Sequence, residues 1–180
     1  MSIPAGTYRF GPDNGTLSVN TARTGAVARA GHDLLMRVTD WEGTLEIGAD
    51  STPARVEVRV DGGSLKVLEG TGGMQALDDG DRANIEQTID DEVLRRDQIT
   101  FHSTDVAPAG DGLRVTGDLT LLGRTAPVSL DVAVTDDGAL TAAAVVRQTD
   151  FGLKPYSALF GALKVADEVR VSLAATLPPG

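Results

Sequence analysis

Few residues in this chain combine the type and spacing that chemistry requires. There is no cysteine, which excludes disulfides, thiolate metal sites and cysteine nucleophiles. The two histidines, His32 and His102, sit at unrelated positions and do not make a metal-ligand set. His32 precedes Asp33, but consecutive side chains diverge and no nucleophile stands beside them. A turn histidine bonded to backbone is the expectation there, while His102 alternates with Phe101 and should face solvent. Asp78-Asp79-Gly80-Asp81 lacks the spaced ligands and terminal Glu of a calcium loop and reads as the entry to a helix. No catalytic residue, metal or cofactor is expected. The remaining candidates are cationic. Arg23, Arg29, Arg37 and Arg147 are the groups that could receive an anionic headgroup, because the arginine fork matches phosphate oxygens.

The elements that would position such a site are short alternating stretches. Residues 113–134, LRVTGDLTLLGRTAPVSLDVAV, alternate apolar and polar residues on both sides of Gly123-Arg124-Thr125. A period of two marks a strand with one buried face, and the short glycine-containing loop makes the pair an antiparallel hairpin. Gly117 falls on the buried face, leaving room for a bend or for something bound. Similar stretches occur at Thr16–Asn20, Trp41–Ile47, Val56–Val60, Ser64–Leu68, Ile99–Ser103, Leu140–Val146 and Val169–Leu173, with Asp-Gly turns at 111–112 and 137–138. Such spacing predicts an all-β sandwich or barrel, and closure removes exposed sheet edges.

Two segments depart from that period. Residues 78–94 place Ile85, Ile89 and Val93 four apart, one helical stripe, with Asp81 as the expected N-cap. This helix should lie across one mouth of the barrel with its apolar stripe inward. At Leu153–Lys164, the positions of Tyr156, Leu159, Phe160 and Leu163 predict a short helical turn near 155–163, either a structural plug or a lid over a cavity.

The chain has 180 residues with a formal net charge of −10. One ordinary domain over 1–180 is expected. Residues 69–97 carry nine acids against three arginines, which argues against nucleic acid and anionic membrane surfaces. There is no apolar run of the length a membrane span needs. The first twenty residues lack the features of a signal peptide, so a cytoplasmic location is expected.

Four segments resemble the YceI-like family. Val115 to Val128, VTGDLTLLGRTAPV, is similar to its v-x-G-x-L-T-l-h-G-v-t-k-p-V signature. Ile99 to Thr104 is similar to the P-x-I-x-F-x-S-T strand. Arg147 to Gly152 matches the R-x-D-F-G element, and Asp167-Glu168-Val169 fits the v-G-D-E-V turn with Ala166 in place of Gly. Val38 to Leu45 resembles a further N-terminal region. The family's R-D-x-H-L-x-s-x-d-F-F-d segment is missing, and the acidic 78–94 helix takes its place. The resemblance implies an eight-stranded antiparallel lipocalin-like barrel whose channel, in characterised relatives, holds a polyisoprenoid or similar amphiphile. Other members are known only as stress-induced or base-induced proteins.

In such a barrel Gly43, Gly117, Ala142 and Ala144 favour open space. Trp41, Leu45, Val58, Phe101, Leu119, Val132 and Phe151 would line it, with Tyr156, Phe160 and Arg147 at its mouth. The leading expectation is a soluble, non-enzymatic carrier enclosing a long apolar or amphiphilic ligand, polyisoprenoid or fatty-acid-like. The expected partner is a hydrophobic small molecule or lipid, with no nucleic acid and no stable membrane insertion; a homodimer is left open. Two rival readings are an isomerase or cyclase that uses the same cavity with His32 or Tyr156 as acid/base, and a ligandless interaction module whose acidic 69–97 surface docks a basic partner.

Overall fold

A computed structural model describes residues 3–50, 52–158 and 163–178. Its strands are β1 (Gly6–Phe10), β2 (Gly15–Thr21), β3 (Arg23–Thr24), β4 (His32–Val38), β5 (Trp41–Ile47), β6 (Pro53–Asp61), β7 (Leu65–Gly72), β8 (Gln98–Ala109), β9 (Gly112–Leu121), β10 (Arg124–Val134), β11 (Ala139–Arg147), β12 (Ser157–Ala158), β13 (Leu163–Val165) and β14 (Glu168–Thr176). Eleven of them form one curled antiparallel sheet, in the order β1, β5, β6, β8, β9, β10, β11, β14, β2, β4, β7. The expected eight-stranded count is therefore not what the sheet shows. Its two edges, β1 and β7, are not paired with each other, so the curl stops short of a hydrogen-bonded barrel.

The β9–β10 hairpin follows the alternation read from sequence, with Leu121 opposite Arg124 and Val128 opposite Gly117. Its turn is tighter than expected: Leu122 and Gly123 alone connect the strands. Both have positive φ, 49° and 74°, as a two-residue type I′ connection requires. Leu122 tolerates that conformation while its side chain packs on the apolar cluster around Phe101 and Val115.

The helix α1 (Asp79–Thr88) continues into one π-helical turn at Ile89–Val93. Its N-cap is Asp78, not Asp81. The Asp78 carboxylate accepts from the Asp81 N–H at 2.8 Å, and Asp81 accepts from the Asp78 N–H at 3.1 Å, a reciprocal capping box. Asp81 thus occupies the third helical position of the box. The helix also covers an exposed edge. Glu86 accepts a hydrogen bond from the backbone N–H of Val67 on β7 at 2.9 Å, satisfying a group that an edge strand would otherwise present to another chain. Asp78→Ala is expected to cost about 1 kcal/mol, read as a lower midpoint in chemical denaturation.

The expected helical turn near 155–163 is absent from the described residues. Ser157 instead pairs with Lys164, and β13 pairs with β3 to make a separate three-stranded sheet. The backbone groups of this segment find partners across strands, as where Val165 N–H donates to Tyr156 O. A helix this short has little intrinsic stability. Leu159 and Phe160 lie outside the described residues.

Two apolar clusters build the interior. One gathers Phe10, Leu17, Val38, Trp41, Leu65 and Leu140 from both arms of the curl. The other holds Phe101, Val115, Leu121, Val128, Ala144 and Phe151. No helix among the described residues is long and apolar enough to cross a membrane.

Candidate functional site

The two clusters leave a cavity of about 690 Å³ between them. Alternation decides its lining. On β11 the inward residues are Leu140, Ala142, Ala144 and Val146, and the series ends at Gln148 in the following 3-10 turn. On β2 they are Leu17 and Val19, then Thr21, with Arg23 beyond. The cavity is accordingly graded. At one end Phe10, Leu17, Val38, Trp41, Leu65 and Leu140 supply only apolar surface. At the other, beside the small β12–β13–β3 sheet, Thr21, Arg23, His32, Gln148, Tyr156 and Lys164 contribute polar groups.

Six of the ten residues singled out from sequence line this cavity on strands: Trp41, Leu45, Val58, Phe101, Leu119 and Val132. Tyr156 also lines it and is half exposed. Phe151 is only 2% exposed but packs in the second cluster rather than against the space. Phe160 is outside the described residues. Arg147 does not reach the cavity: its side chain pairs with Glu168 at 3.2 Å on the outer surface. The inward position at this point of the chain belongs to its neighbour Gln148, because successive side chains of a strand point to opposite faces.

The helix meets the expectation placed on its stripe. Ile85, Ile89 and Val93 all line the cavity. Of the glycine and alanine positions expected to provide space, Gly43, Ala142 and Ala144 border it. Gly117 does not; its missing side chain is occupied by the ring of Phe101 and by the backbone of β8, where a β-bulge shifts the register between Ser103 and Asp105.

The polar residues serve separate partners. His32 Nε2 donates to Gln75 O at 2.6 Å, so this histidine is tied to backbone as expected, though it opens β4 rather than sitting in a turn. Asp33 accepts from the Arg23 N–H at 2.8 Å. Arg23 Nη1 donates to Gly31 O and Thr71 O and its Nε lies 3.9 Å from Asp33 Oδ1, so the guanidinium is anchored to the backbone and paired with a carboxylate. Arg29 and Arg37 are exposed. His102 points to solvent from the outer face, bonded to Glu57 at 3.1 Å. That bond, which outweighs desolvation and is aided by the neighbouring Arg55, holds the Glu57 carboxyl below its usual value.

Sequence reasoning missed Gln148, Asn84, Thr88, Lys164 and the inward side of β4. There Leu34, Met36 and Val38 carry a period-two signal that Leu35 obscures.

A model of the YceI-like domain matches residues 8–177. The chain belongs to the YceI-like family. No curated protein matches it. Among solved structures, Burkholderia cenocepacia BcnA is similar at 18% identity, with a TM-score of 0.63 over 89% of this chain and 94% of that one. A Campylobacter jejuni YCEI protein is similar at 14% identity and a TM-score of 0.53, over 81% and 85% of the two chains. At these identities the likeness speaks for the fold. Within the family's R-x-D-F-G element, aligning on Asp150 sets the first position at 148, so Gln148 rather than Arg147 stands there.

The turn carrying Gln148 is fixed by Asp167. The Thr149 hydroxyl donates to Asp167 Oδ2 at 2.6 Å and the Thr149 N–H to Oδ1 at 2.8 Å. The hydroxyl bond is the main reason that the Asp167 carboxyl lies below its ordinary value of 3.8; it outweighs desolvation, and the Thr149 N–H and Arg147 add to it. A carboxyl depressed on folding stabilises the fold above its unfolded value, and that contribution is lost as pH falls through the folded value. Thr149→Val is expected to melt at a lower temperature than the parent near neutral pH. The gap should narrow as pH falls below the ordinary carboxylate value, which melting curves at several pH values would check.

Proposed function

We propose that this YceI-like protein is a carrier that encloses a long apolar or amphiphilic molecule, polyisoprenoid or fatty-acid-like, with its polar end toward the small sheet. The observation that supports this most is the graded cavity, large and mostly apolar, with a group of polar side chains gathered beside the small sheet. Ligand sites commonly measure about 300–1,000 Å³ with a few placed polar groups, and this one falls in that range. At ~30 Å³ for each water-sized group, it has room for about twenty heavy atoms. Burial of such a chain gains about 0.8 kcal/mol per methylene, enough for tight binding without any ion pair. No arrangement of nucleophile and base accompanies the cavity among the described residues. His32 is held by a backbone carbonyl, and Tyr156 stands half exposed at the polar end, so binding without turnover is the reading favoured over an isomerase or cyclase.

Native mass spectrometry after gentle purification tests the carrier reading. The expected spectrum contains protein with a bound long-chain molecule, or protein that takes up polyprenyl or acyl probes when offered. Ligand-free protein that refuses both kinds of probe would refute it.

A further inference from the structure

Gln148 is the buried polar group that the carrier reading leaves without a task. It is 8% exposed and lines the cavity at the polar end. Its backbone is held on both sides: the N–H donates to Asp167 O, and the carbonyl accepts from Leu153 N–H. Its side chain is held as well, because Nε2 donates to Ala166 O at 3.0 Å. A backbone carbonyl only accepts, so the amide nitrogen must face Ala166 and the amide oxygen must face away. Among the described residues Oε1 has no hydrogen-bond partner. Nor is it walled in, since the sealed side-chain atoms lacking partners there are Trp41 Nε1 and Arg82 Nε. A fixed, reachable acceptor without a partner among the described residues therefore stands at the polar end of the cavity.

Such an acceptor distinguishes ligand heads by whether they can donate. A hydroxyl or N–H gives it the missing hydrogen bond. A hydrocarbon or ether leaves it unpaired, and a carboxylate brings a second acceptor against it. Of the nearby cations, Arg23 has its charge paired with Asp33 and its Nη1 taken by Gly31 O and Thr71 O, and Lys164 stands exposed at the rim; a carboxylate probe tests whether either overrides this preference. We propose that Gln148 Oε1 reads the head of the carried molecule and selects an uncharged, hydrogen-bond-donating one, a long-chain alcohol or a comparable hydroxyl- or N–H-bearing lipid. This inference rests on the carrier reading of the same cavity.

The test uses three probes of equal chain length, a long-chain primary alcohol, its methyl ether and the corresponding carboxylate. Binding is followed through Trp41, the chain's one tryptophan and part of the cavity wall, with native mass spectrometry as a second readout. The intact protein is expected to bind the alcohol about five- to tenfold more tightly than the ether, the size of one net hydrogen bond. In Gln148→Met, the ether should bind within about twofold of the parent while the preference for the alcohol disappears. If that variant does not fold, the side-chain amide resonances of Gln148 in the intact protein decide: they should shift on adding alcohol and stay in place on adding ether. A preference that survives Gln148→Met overturns the proposal, as does one that is lost instead in Tyr156→Phe. Tightest binding of the carboxylate, abolished by Lys164→Ala, overturns it in favour of a cationic rim. Binding of the ether without any preference refutes the role of Gln148 alone, whereas refusal of all three probes refutes the carrier reading with it.

Discussion

Gly117→Val is expected to destabilise the protein by about 3 kcal/mol, with Gly117→Ala toward the lower end of the ~1–3 kcal/mol that overpacking costs. The cause is close packing inside the sheet. A Cβ at position 117 would lie 2.4 Å from His102 O, 2.6 Å from the tip of the Phe101 ring and 2.8 Å from Ser103 Cα. The ring can swing aside, but the two backbone atoms belong to β8, paired with β9 along its length, and can yield only if the bulge beside Ser103 moves. Shortening the ring should therefore relieve only part of the penalty. In a double-mutant cycle with Phe101→Leu, less than half of the loss at Gly117→Ala should be recovered. Denaturant midpoints of the four proteins measure this. Full recovery would show that the ring, not the strand, sets the requirement for glycine.

The same residue shows where sequence reasoning reached and where it stopped. Parity placed Gly117 on the inner face, because the residues on either side of it alternate cleanly. Parity could not say whether a ligand or a neighbouring side chain takes the space, since that depends on β8, aligned by a bulge with no local signature. The helix stripe was legible for a related reason. Ile85, Ile89 and Val93 must share a face at a helical period, and all three border the cavity.

Strands were missed where the period was blurred. In β4, Leu35 stands between the inward Leu34 and Met36, and the register shifts between Leu35 and Met36. In β1 only Tyr8 and Phe10 turn inward, too short a series to separate from a loop. Without β1 and β4, the alternating stretches account for nine of the eleven strands that curl together, while the eight-stranded count comes from the family resemblance alone. The helical spacing of Tyr156 and Leu163 misled for another reason: a four-position coincidence in a short segment outweighed the pairing that β3, equally short, offers it. At the polar end the error was one of parity alone. Arg147 has the chemistry that suggested a headgroup receptor, but its side chain is on the outer face, and the less conspicuous Gln148 lines the cavity.

Ala144→Phe is expected to abolish uptake of long-chain probes while leaving the fold intact. Ala144 lies midway along the inward series of β11, opposite Val171 on β14 and 7% exposed. A phenyl ring there enters existing space instead of packed protein, so the usual overpacking penalty is reduced, and stability should stay within about 1 kcal/mol of the parent. The ligand bears the cost instead. Displacing only four methylenes from the cavity forfeits about 3 kcal/mol at ~0.8 kcal/mol each, which weakens binding by more than about a hundredfold. The control is one residue away. Val145 is 56% exposed on the outer face of the same strand, so Val145→Phe adds the same ring without entering the cavity and should leave uptake unchanged. Titration of both variants with one probe, alongside their melting curves, separates occupancy of the cavity from damage to the sheet. Equal uptake by the two variants would mean that the bound molecule does not run past the middle of β11, and the channel would then hold only its head.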